Sequence, residues 1–134
     1  MKHLRLYAPF AALLVAAASF AHHSFAVFDM AKTETYEGTV KEVQWTNPHV
    51  WVSIDMTEGG ATKTWSFECG AIAVLKRNGW TRDLVKPGDP LKIIGHPYRD
   101  GRPGGSVDRA ILADGREIRA GDGLPSALRP PGAE

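Results

Sequence analysis

Two adjacent histidines, His22 and His23, follow an apolar run near the start of this 134-residue chain. A third histidine, His49, sits in "TNPH", and an acid, Glu68, in "SFECG". Imidazole nitrogens with a carboxylate are donors for a transition metal. The first histidine gains a further donor if the chain is cut before it. A terminal His22 carries an α-amine, which closes a six-membered ring with its own Nδ1 on one metal ion. An α-amine has a pKa of about 7.7–8.0, so its deprotonation costs a ligand only about 1 kcal/mol at neutral pH. Amine and imidazole nitrogens suit Cu(II), which leads the divalent affinity order, ahead of Zn(II). His22, His23 and His49 are thus the candidate metal ligands, with Glu68 as a further ligand or an acceptor behind one of them.

The cut that exposes His22 is written in the preceding residues. Lys2 and Arg5 form a basic start, Ala8 to Ala18 is nearly all apolar, and Ser19-Phe20-Ala21 places small residues at −3 and −1 of a signal-peptidase site. The apolar run is shorter than the roughly 20 residues a membrane-spanning helix needs. The expectation is a signal peptide over 1–21 and export to the periplasm, with no membrane span in the mature chain. Losing Lys2 and Arg5 lowers the basic count from 16 to 14 against 15 acids, for a net charge of −1 with histidines neutral. A near-neutral domain has no basic field to neutralise phosphates, which argues against nucleic acid as a partner. The single cysteine, Cys69, cannot form an internal disulfide.

The elements that must position these residues read as follows. Residues 22–34 form an N-terminal arm. "TYEGTVKEV" (35–43) is a strand and "QWTNPH" a loop, because Asn47-Pro48 favours a turn. "VWVSIDM" and "ATKTWSFEC" alternate cleanly around Gly59-Gly60, a two-residue hairpin loop. That loop sets Glu58 opposite Ala61, hence Ile54 opposite Trp65, Val52 opposite Phe67, and Trp51 opposite Glu68. A slip of one residue would set apolar against polar. His49 then shares the outer face of Trp51, beside Glu68, while Cys69 turns into the core. "AIAVLKRNGW" is a short helix stopped by Gly79, and "LKIIGHPY", "SVDRAIL" and "REIRA" are three further strands. Residues 121–134 are rich in Gly, Pro and Ala and read as a disordered tail.

Three strands, a short helix and two or three strands give a mainly β chain with the element order of an OB-like barrel, five- to six-stranded, over residues 35–120. Fold alone assigns no function. Trp65 is assigned to the core by the register and Trp80 to the helix, which leaves Trp45 and Trp51 as candidate exposed contacts for a partner protein or small periplasmic ligand. His96, at a strand end, reads as structural. "RDGRPGG" lacks the Lys-Ser/Thr ending of a phosphate loop. No Ser–His–Asp or Cys–His arrangement is legible, so a non-enzymatic binding module leads. A metal-free partner-binding domain and a copper redox enzyme built on the His22 chelate are its rivals.

"AHHSFAVFD" after the leader, "GTVKEVQWTNPHVWVSIDM", "TWSFECG", "LKRNGW" and "VKPGDPLKIIGHPYRDG" resemble, in that order, a group of small exported bacterial proteins classed as domain of unknown function 6152. His22, His23, Asp29, Asn47, Pro48, His49 and Glu68 stand at positions matching its motifs. The resemblance implies an exported, single-domain β protein and carries no assigned activity.

Overall fold

A computed structural model describes residues 26–121. The expected signal peptide, His22 and His23, and all of the tail after Gly121 lie outside the described residues. Within the described residues, six strands and a helix are named, in order β1 (Glu34–Gln44), β2 (Trp51–Glu58), β3 (Ala61–Glu68), α1 (Ile72–Arg77), β4 (Pro90–Pro97), β5 (Gly104–Ile111) and β6 (Glu117–Arg119). They form one sheet in the order β3-β2-β1-β4-β5-β6, and a parallel pairing of β3 with β5 closes the first five into an OB-like barrel. β6 is an extra strand on β5.

The long first strand serves two partners. Glu34–Thr39 pairs with β4 and Thr39–Gln44 with β2, with a bulge between Val40 and Glu42. A bulge bends its strand and raises the local twist, which lets one strand turn the corner of a small barrel. The β2–β3 hairpin has the register that the alternation implies: Trp51↔Glu68, Val52↔Phe67, Ile54↔Trp65 and Glu58↔Ala61. Gly59 and Gly60 both adopt positive φ, 57° and 82°, as a two-residue loop of this hand requires.

The inward residues of the strands make the core. Tyr36, Val40, Val52, Ile54, Phe67, Leu91, Ile93 and Val107 are buried there, with Leu75 and Trp80 from the helix region. Cys69 is buried among them, on the inner side as its parity implies. α1 plugs one end of the barrel through Leu75, and Gly79 follows its C-cap at φ 93°. Trp80 anchors this corner, because its indole Nε1 donates to the Arg119 carbonyl at 2.8 Å.

Two tryptophans depart from expectation. Trp65 faces inward and stacks against Phe67, yet it is only half-buried. The reason is its position: β5 covers β3 only over Ser66–Glu68, so the strand ahead of Ser66 has an open edge. Trp45, expected as an exposed contact, is partly buried and packs against the core. It follows the last residue of β1, where the chain is still turning over the barrel mouth.

The β3–β5 closure also corrects a boundary. Gly104 and Gly105 read as loop but open β5. A Cβ on Gly104 would collide with the Ser66 carbonyl, and one on Gly105 with the His96 carbonyl. These glycines let three backbones approach where the barrel shuts.

Candidate functional site

The loop between β1 and β2 carries His49. Its Asn47-Pro48 bond is cis. The Asn47 side chain crosses to α1, whose first amide, Ile72 N–H, donates to Asn47 Oδ1 at 3.3 Å. The helix start has no side-chain cap of its own at Ala71. Asn47 therefore ties the His49 loop to the element that plugs the barrel. One residue after His49, the hairpin ladder begins. Val50 N–H donates to the Gly70 carbonyl, and Cys69 N–H donates to the Val50 carbonyl. With Val50 fully buried, its neighbour His49 is turned outward.

On that outer face the His49 Nδ1 and Glu68 Oε1 atoms are 2.6 Å apart, with the side chains 30% and 14% exposed. An ionised carboxylate only accepts, so Nδ1 carries the proton and donates. Whenever this imidazole is neutral, its lone pair is then on Nε2. A histidine held this way by a carboxylate is the standard arrangement behind a metal-bound imidazole.

Glu68 also faces a second group. It pairs with Ser106 at the barrel closure, and its carboxylate helps to raise the pKa of Tyr98. Burial is the main cause of that rise, and the Arg102 guanidinium, stacked 3.8 Å from the Tyr98 ring centre, opposes it. Glu68 thus touches the β1–β2 loop through the His49 side chain and β5 through its backbone pairing with Ser106.

The N-terminal arm arrives at the turn between β4 and β5. Phe28 is buried and stacks on Tyr98 with ring centres 5.0 Å apart. Asp29 N–H donates to the Pro97 carbonyl and Arg99 N–H to the Val27 carbonyl, while Arg99 Nε donates to the Ala26 carbonyl at 3.1 Å. The sequence carried no periodicity that would reveal this docking.

Of the residues singled out by sequence, His49, Glu68 and Trp51 share this outer face. Trp51 is partly exposed and pairs directly with Glu68. His96 is elsewhere: its Nδ1 contacts the Lys32 carbonyl at 2.7 Å, which ties the arm to β4. Among the described residues no group of three or more His, Cys, Asp or Glu side chains could hold a metal ion. No described helix is long and apolar enough to cross a membrane.

A model of the family of unknown function DUF6152 matches residues 11–107. No curated protein matches the chain.

Proposed function

The chain belongs to the family of unknown function DUF6152, and we propose that it serves as an exported, periplasmic metal-binding module, non-catalytic and selective for copper before zinc. In this reading His49 supplies Nε2 as a ligand and Glu68 orients it from behind. His22 and His23 supply the remaining nitrogens, the first of them through both its α-amine and its imidazole once the leader is removed after Ala21.

The observation that carries the reading is the 2.6 Å contact between His49 Nδ1 and Glu68 Oε1. With Nδ1 as the donor, Nε2 is the nitrogen that would bind a metal. The arm supplies the second support. His22 stands four positions before Ala26, and four positions of extended chain reach at most about 14 Å. The histidines can meet His49 only if the arm enters the barrel beside it. Phe28 docks on Tyr98, which is itself within the field of Glu68. The site lies on the β2–β3 face next to the first and fourth inter-strand loops, which is where OB folds commonly hold ligands.

Titration calorimetry with Cu(II) on periplasm-purified protein tests the proposal. A single residue added before His22 removes the chelate and weakens binding at least about tenfold, or roughly 1.4 kcal/mol. His49→Ala weakens it too, and His96→Ala leaves it unchanged. Equal affinity in the native and extended forms removes the terminal chelate. A metal-free partner-binding domain would ignore all three changes.

A further inference from the structure

We propose that the open edge of β3, over residues 62–65, docks an extended peptide segment. The segment adds to the sheet as an antiparallel strand, with an apolar residue opposite Trp65 and an acidic residue opposite Lys63. The inference is independent of the metal-binding reading above.

The hydrogen-bond pattern of the hairpin locates the unused groups. Around a two-residue loop the flanking pair, here Glu58 and Ala61, is hydrogen-bonded, and bonded and non-bonded pairs then alternate along the ladder. Ala61, Lys63, Trp65 and Phe67 therefore bond to β2, while Thr62, Thr64, Ser66 and Glu68 turn their N–H and C=O groups to the opposite edge. Cys69 N–H, which donates to the Val50 carbonyl, keeps this parity. So does the Ser66 carbonyl, which lies against Gly104 of β5. β5 takes up only Ser66–Glu68, and among the described residues no strand pairs with Thr62 or Thr64 on that side. Two N–H and two C=O groups remain there at the spacing of alternate strand residues. What matches such a row is the backbone of another extended segment.

The side chains give that segment its chemistry, because directly opposed residues share a face. Trp65 is half-buried, packs on Tyr36 and Phe67, and its indole Nε1 has no hydrogen-bond partner. An apolar residue opposite it completes the cover of its ring. Lys63 is 59% exposed and is held only by a 4.0 Å ion pair with Glu58. Lys41, by contrast, donates to Thr64 Oγ1 at 2.7 Å and lies 3.6 Å from Asp55. An acid opposite Lys63 therefore gains a cross-strand partner, and a base there is repelled. A second copy of β3 fits badly for the same reason. The register that pairs both threonines of each copy sets Lys63 against its own counterpart, as an edge lysine does to block self-pairing.

The test uses two end-capped synthetic peptides written for antiparallel pairing, Thr-Val-Thr-Glu-Thr and Thr-Val-Thr-Lys-Thr, added to the mature protein. Hydrogen exchange is read residue by residue. At about ten times its Kd the acidic peptide slows the Thr62 and Thr64 amides about tenfold. The Ser66 and Glu68 amides, already turned to β5, keep their rates, and the lysine peptide has no effect. Lys63→Glu reverses the preference between the two peptides. Thr64→Pro removes one edge donor without removing a bond to β2, and abolishes binding. If Thr64→Pro fails to fold, the exposed Lys63→Glu change decides. Equal binding of both peptides by the native chain overturns the proposal, and so does the absence of slowing at millimolar acidic peptide. Protection of Thr62 and Thr64 that rises with protein concentration alone means that a second copy fills the edge, and overturns it too.

Discussion

The Glu68 carboxylate closes on His49 at 2.6 Å although its direct partner across the hairpin is Trp51, two residues further along β2. The contact is diagonal, and it holds a loop histidine against the rigid end of a strand. The bond orients the imidazole, and because the Glu68 side chain is only 14% exposed it also contributes to stability, by about 1.5–3 kcal/mol as hydrogen bonds to a charged group do.

Glu68→Ala should therefore cost the barrel no more than about 3 kcal/mol and also weaken Cu(II) binding. Loss of the carboxylate behind a metal-bound histidine lowers affinity about 10–100-fold. Calorimetric titration beside a urea unfolding curve separates the two effects. A large drop in stability with unchanged affinity would make the pair structural.

The hairpin faces set an order of aromatic truncations. Phe67 is fully buried, so Phe67→Ala should cost about 3–5 kcal/mol. Trp65 stacks on Tyr36 and Phe67 but lies at the open part of β3, so Trp65→Ala should cost less, about 2–3 kcal/mol. Trp51→Ala should cost under about 1 kcal/mol, as a substitution outside the core does. Denaturant midpoints of the three variants check the ranking, and a Trp51 variant as damaged as Phe67→Ala would contradict it.

Much of this was legible in the chain because local rules governed it. Gly59-Gly60 and the alternation around it determine the β2–β3 register, and that register places His49, Trp51 and Glu68 on one side. Where long-range contacts decided the outcome, local reading failed. Gly104-Gly105 looks like loop because glycine is scarce in strands, yet the demand for glycine there comes from the Ser66 and His96 carbonyls. Trp45 looks exposed because a loop follows it. Asn47 looks like a turn residue, while its side chain serves a helix start 25 residues away. The docking of Phe28 on Tyr98 leaves no local pattern in the sequence.

Gly104 gives a direct test of the closure. Its φ is 131°, and the new methyl of Gly104→Ala would meet the Ser66 carbonyl. A forced backbone of this kind costs about 1–3 kcal/mol before the collision is counted. Gly59→Ala meets no atom within 4 Å, although its φ of 57° still disfavours a side chain, and should be the milder change. Thermal midpoints of the pair report the difference, and equal losses would argue against a tight β3–β5 contact.

The arm should detach without unfolding the barrel. Phe28→Ala removes its anchor on Tyr98, and the amides of Asp29 and Arg99, which bond to Pro97 and Val27, should then exchange faster with solvent. Amides along β2 and β3 should keep their protection. Hydrogen exchange read residue by residue checks this, and uniform loss of protection would mean that the arm is integral to the core.

The barrel shuts over only three residue pairs, Ser66–Glu68 against Gly104–Ser106, and Glu68 is the last residue of that seam on β3. One face of Glu68 holds the zip closed and the other holds His49. A ligand that favours the paired His49 also favours the shut seam, since anything that binds the folded form alone lends it stability. The weakest joint of the wall and the candidate site thus share a residue, and occupancy of one would be felt as a stiffening of the other.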